Sequence, residues 1–112
     1  MDTARSFNST ANLTFRQTVS TTESFQFGQF SGGLILVSST VGSAATVLTF
    51  YAKPSSNSQE FYALHDASNS PITITVQPDK CYELPKELFG ASTIAATVPT
   101  GQSVTCKVYL KS

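Results

Sequence analysis

A chain of 112 residues with seven Lys plus Arg against seven Asp plus Glu is one domain, long enough to bury a core without staples. Charged residues make up only 12% of it and nowhere cluster, which argues against a nucleic-acid or anionic-membrane surface, since both need grouped Lys and Arg. Ser and Thr together number 31, so solubility rests on hydroxyls rather than charge, as in β proteins whose exposed strand faces take Thr and whose turns take Ser.

Residues 1–11 are polar around one large apolar side chain, Phe7, and show no periodicity. Their opening, DTARSFNST, has no apolar h-region of a secretory signal, so the sequons at Asn8 and Asn12 carry no information. The expectation is a flexible N-terminal arm over residues 1–12 and a single β domain over 13–112. Asn12 to Ser20 sets Leu13, Phe15, Gln17 and Val19 against Thr14, Arg16 and Thr18, a strand with one wet face. From Glu23 to Ser39 the pattern predicts a hairpin: Phe25 and Phe27 alternate with Ser24 and Gln26, Gly28, Gly32 and Gly33 supply a turn, and Leu34–Val37 is a continuously apolar second strand. Such a run has either both faces covered or one face against another subunit.

TVGSAA at 40–45 is a small-residue turn, and TVLTFYA at 46–52 a strand with side chains on both faces that look covered. KPSSNSQ at 53–59 is an exposed loop, EFYAL at 60–64 a short strand, and HDASNSP a second turn in which Asp66 and Asn69 can bond their own backbone. In PITITV, Ile72, Ile74 and Val76 face one way and the threonines the other. A turn on Pro78 and Asp79 leads to a strand at 81–84, and LPKELFG, with proline first and glycine last, predicts a single helical turn whose Leu88 and Phe89 plug one end of the core. Residues 92–98 and 103–111 alternate again around the turn Pro99, Thr100, Gly101. Eight or nine short strands with almost no helix predict an all-β antiparallel sandwich, and the uneven connections favour a jelly-roll or Greek-key winding over an up-and-down barrel.

Reactive chemistry is sparse. The single histidine, His65, lies in a turn beside Asp66 and reads as a solvated residue, not a base; no serine sits in a G-x-S-x-G context. Glu83 and Glu87 flank Pro85 and fit a solvated helix start beside Lys86. Cys106 is in phase with Val104, Val108 and Leu110 and reads as a small buried hydrophobe, whereas Cys81 is out of phase with Tyr82 and Leu84; pairing of the two is left open. Neither has neighbours at metal-ligand spacing, and no cofactor or enzymatic activity is expected.

Taken in order, FQFGQFSGGLILV, VLTFYA, FYALHDASNSPITITV, CYELPKELFGAS and KVYLKS resemble a group of small phage virion proteins of the capsid decoration or cement type, over residues 23–112. That resemblance implies a β-sandwich on the outer face of an icosahedral shell, made in the host cytoplasm, binding the major capsid protein and tying its neighbours together as a homo-oligomer, a dimer or trimer. Candidate capsid or subunit contacts are then Phe7 on the arm, Leu13 and Phe15 in the strand it leads into, and Leu88 and Phe89 at the helical turn. The alternative, from a different class, is a receptor- or glycan-binding module of a tail fibre or adhesin, using the loops at 53–59 and 65–70. An ordinary cellular β domain is the third reading.

Overall fold

The structure, a computed structural model, describes residues 8–19, 23–26, 32–53, 60–91 and 93–111, the side chains at 8, 9, 89 and 90 excepted. These residues form nine strands: β1 (Asn8–Phe15), β2 (Ser24–Gln26), β3 (Gly32–Val41), β4 (Thr46–Lys53), β5 (Tyr62–Ala63), β6 (Thr73–Val76), β7 (Lys80–Glu83), β8 (Thr93–Thr97) and β9 (Ser103–Lys111). The predicted helical turn is a short 3-10 segment, Lys86–Gly90, entered through Pro85. One sheet has the order β1-β9-β3-β7; the other runs β2-β8-β4-β5, with β6 also on β4. Every pairing is antiparallel.

The pairings are nested. The first strand lies beside the last, the second beside the eighth, the third beside the seventh, and the fourth beside the fifth and sixth. A chain folded in half and wound around itself in this way is a jelly roll, so of the two windings expected it is the jelly roll that forms. The sandwich follows from alternation. Along β9 the side chains Val104, Cys106, Val108 and Leu110 point inward and are buried, while those between are exposed or half-exposed. Leu13 and Phe15 of β1, Ile35 and Val37 of β3, Leu48 and Phe50 of β4, Ile94 and Ala96 of β8 and Phe25 of β2 complete the interior. Burying Phe15 and Phe50 contributes about 1.5–3 kcal/mol apiece.

Three expectations are corrected. The stretch from Glu23 to Ser39 is not a hairpin: β2 pairs with β8 and β3 with β9 and β7, so the two aromatic and apolar runs lie in opposite sheets. Glycines close in sequence resemble a tight turn, but the strands on either side of this stretch belong to different layers. Residues 8–12 belong to β1, where Asn8 through Asn12 pair with Lys111 through Lys107, so the ordered domain begins before residue 13; residues 1–7 lie outside the described residues. Third, β4 has one fully covered face: Leu48 and Phe50 are buried, whereas on the other side Val47 is 39% exposed and Tyr51 half-buried.

β3 carries a bulge. Val37 pairs with Cys106 but Ser39 with Thr105, so Ser38 is an extra residue, and the inward parity changes from odd to even positions. Thr40 therefore opposes inward Val104, and Val41 turns out to solvent, 59% exposed. Gly33 is required at its place because a Cβ there would collide with the carbonyl oxygen of Tyr109 on β9 and crowd Leu84 Cδ1 at 3.0 Å.

Candidate functional site

The strand opposite β4 is split. Leu64 N donates to Phe50 O at 3.0 Å, Phe50 N to Ile72 O at 3.0 Å, and Ile72 N to Leu64 O at 2.8 Å, so β5 and β6 together line β4 and the chain between leaves as a pinched loop. His65 and Pro71 close its neck as an isolated bridge. Inside, Asp66 Oδ1 accepts Ser68 N at 2.8 Å and Ser70 N at 3.0 Å, Asp66 N donates to Ser70 O at 2.9 Å, and Asn69 takes a positive φ of 64°. Asx-type bonding of this kind is what the Asp and Asn of this stretch predict, and it makes the loop a built element.

Across from it stands the corner where β7 runs into the 3-10 turn, held by Leu84 N to Gly33 O at 3.0 Å and Leu88 N to Pro85 O at 3.1 Å. Between loop and corner lies an open cleft of about 550 Å³, with Asp66, Pro71 and Ile74 on one wall and Glu83, Pro85, Lys86 and Glu87 on the other. Folding thus brings Glu83 and Glu87 to one surface depression, where both are exposed. Among the described residues no group of three or more potential ligands is placed to hold a metal ion. Asp66 spends one carboxylate oxygen on its own loop. His65 is exposed with Nδ1 3.1 Å from the carbonyl oxygen of Ala63, a turn contact. The two cysteines are both free, Cys81 exposed and Cys106 buried. Burial, with the Glu23 carboxylate adding repulsion, pushes the Cys106 thiol up to about 12, which leaves it without thiolate character.

The expected contact residues do not form one surface. Leu13 and Phe15 are inward positions of β1, 5% and 1% exposed, and Leu88 is fully buried, so these three build the core and cannot touch a partner. Leu88 joins the core cluster from the helical turn. Phe7 lies outside the described residues, as does the side chain of Phe89 and most of the loop at 53–59. The apolar residues that do reach solvent are elsewhere. On the outer face of the first sheet Leu34, 41% exposed, sits opposite half-buried Tyr109, and half-buried Leu36 opposite Lys107 and exposed Cys81.

No family model and no curated protein sequence matches the chain. Among solved structures it is similar to the crystal structure of the SPBc2 prophage-derived protein YomS, with a TM-score of 0.51 over 99% of this chain and 100% of that one, at 20% identity. The two share a fold. The likeness spans both sheets, so neither is an addition to a smaller common unit. The continuous run Leu34–Val37 was the signal for the outer patch, because only a strand with an apolar outer face has no polar alternation. The cleft had no such signal: its two walls are far apart in sequence and meet only through the winding.

Proposed function

We propose that this chain is a non-enzymatic structural protein of a bacteriophage particle: a homo-oligomeric decoration or cement unit that binds the outer face of the major capsid protein lattice and stabilises the shell. The observation that carries the reading is the full-length likeness of fold to a prophage-derived protein. It is joined by the jelly-roll winding, an architecture used in viral capsid and lectin domains, and by a neutral surface that offers little repulsion to close packing of copies. Fold alone assigns no function, so the reading stands on its test.

Attachment to the shell falls to the outer patch in which exposed Leu34 lies beside half-buried Leu36 and Tyr109, since an apolar patch reaching solvent on an otherwise polar sheet face is a mark of a docking surface. Mass spectrometry with copy counting on purified particles is expected to find hundreds of copies, and stripping them is expected to lower the temperature at which the shell opens. Leu34→Asp, outside the core, is expected to keep the fold and abolish particle binding. Absence from purified particles overturns the proposal.

The cleft and its bonded loop favour one second reading, a receptor- or glycan-binding module at a tail. Tens of copies located at the tail, together with glycan binding lost on replacing Lys86, would select it.

A further inference from the structure

The open edge of β1 points to a second copy of this chain as its occupant. In the first sheet, Leu84 N and Asp79 N donate to the carbonyl oxygens of Gly33 and Val37, which fixes the odd residues of β3 as those facing β7 and its even residues as those facing β9. The register carries that parity across β9: Tyr109 and Lys107 face β3, so Leu110, Val108, Cys106 and Val104 face β1 and bond its odd residues. The backbone groups of Asn8, Thr10, Asn12 and Thr14 consequently point away from the sheet. Two observations agree. Thr14 N donates outward to Glu23 Oε1, and Arg16 O accepts from Val98 N of the other sheet at 3.0 Å.

Those two contacts also mark where protection stops. Beyond Thr14, toward Asn8, no backbone partner meets the outer edge of β1 among the described residues. The segment NSTAN carries no charge, no proline and no bulge, the devices that keep sheet edges apart. The opposite edge differs, because β7 is four residues long and bears Lys80 and Glu83.

We propose that two copies join through Asn8–Asn12, antiparallel about a two-fold axis centred on Thr10, to make one continuous sheet across the pair. The occupant is a second copy because the segment complements itself. Pairing Thr10 with Thr10, and Asn8 with Asn12, brings outward-facing residues into register, sets no like charges opposite each other, and ends just short of Thr14, whose N–H Glu23 already holds. The bonded area is small, so the dimer is weak and exchanging in dilute solution and becomes populated where copies are held close together. This deepens the homo-oligomeric part of the proposed function, but it is tested on the purified protein without particles, so failure of either leaves the other standing.

Sedimentation equilibrium of the full chain over micromolar to millimolar concentrations is expected to show reversible monomer–dimer association. Thr10→Pro removes an outward N–H and no bond of the β1–β9 ladder, and proline is tolerated on edge strands, so it is expected to keep the circular dichroism of the wild type and a cooperative melt while losing the dimer. Thr10→Lys and Thr10→Glu are each expected to be monomeric, and an equimolar mixture of the two to associate again, an outcome that requires residue 10 to face residue 10 of another copy. Removing residues 1–7 is expected to leave association unchanged. A monomeric wild type, a dimeric Thr10→Pro variant, a mixture that stays monomeric, or association that appears only after residues 1–7 are removed each overturns the inference; the last would mean that the chain's own first residues fill the edge.

Discussion

Thr46 sits at the start of β4, 1% exposed, and its hydroxyl has no hydrogen-bond partner among the described residues. An orphaned buried hydroxyl costs about 1–3 kcal/mol, and a methyl of the same shape does not. Thr46→Val is therefore expected to stabilise the fold by about 1 kcal/mol, a rise of roughly 4 °C in Tm that differential scanning calorimetry will read. Cys106 gives a second expectation with a definite sign. From about pH 9 the thiol ionises in the unfolded chain, whereas in the folded one it stays protonated until about pH 12, so the unfolded state binds fewer protons and stability falls across that window. Denaturant midpoints measured at several alkaline pH values should fall more steeply for the wild type than for Cys106→Ala. A thiol reagent near neutral pH should modify Cys81 alone in the folded protein and both cysteines after unfolding. Gly33→Ala is expected to destabilise by about 1–3 kcal/mol, because the added methyl meets a backbone oxygen that cannot swing aside.

At the scale of elements, what the sequence made legible is what alternates locally. The period-2 patterns of PITITV and β9 are complete in themselves: the structure buries Ile72 and Val76 with Ile74 half-buried between them, and buries Val104, Cys106, Val108 and Leu110. Proline followed by KELFG encloses its own turn. What was not legible depends on partners far along the chain. The β3 bulge is invisible in LILVSSTV because either parity is chemically acceptable beyond Ser38, and only the register against β9 decides that Val41 faces out. Leu13 and Phe15 look like a grip because polar residues precede them; in fact NSTAN continues the same strand, and Ala11, packed against the core, is small where Leu13 and Phe15 are large. It follows that removing residues 1–12 takes five residues from the β1 ladder and should lower Tm measurably by circular dichroism, whereas a deletion confined to residues 1–7 leaves that ladder whole. Asp66→Ala, which deletes the acceptor of two loop N–H groups, is expected to cost about 1–2 kcal/mol and to raise proteolytic nicking between His65 and Pro71.

For the molecule as a whole, nesting has a kinetic cost. Apart from the turns of β4 with β5 and β6, every ladder joins segments separated by much of the chain, β1 with β9 most of all. Loop closure must precede the contacts that reward it, so refolding is expected in the range of milliseconds to seconds, slow for a domain of this size, as stopped-flow fluorescence of the tyrosines will show. The same nesting is why the layer assignment could not be read locally: sandwich class follows from strand texture, but the rule that successive strands change sheets through the first half of the chain is a property of the winding and not of any segment.

Pairing of Asn8 with Lys111 places the two ends of the described chain on adjacent strands at one extremity of the first sheet. A peptide bridge of a few residues is enough to close the backbone into a ring, and a new opening cut in the exposed bend at Gly42–Ala45, at a distance from that seam in sequence, would yield a permuted version with its ladders unaltered. Passengers joined directly at Asn8 and at Lys111 would emerge side by side.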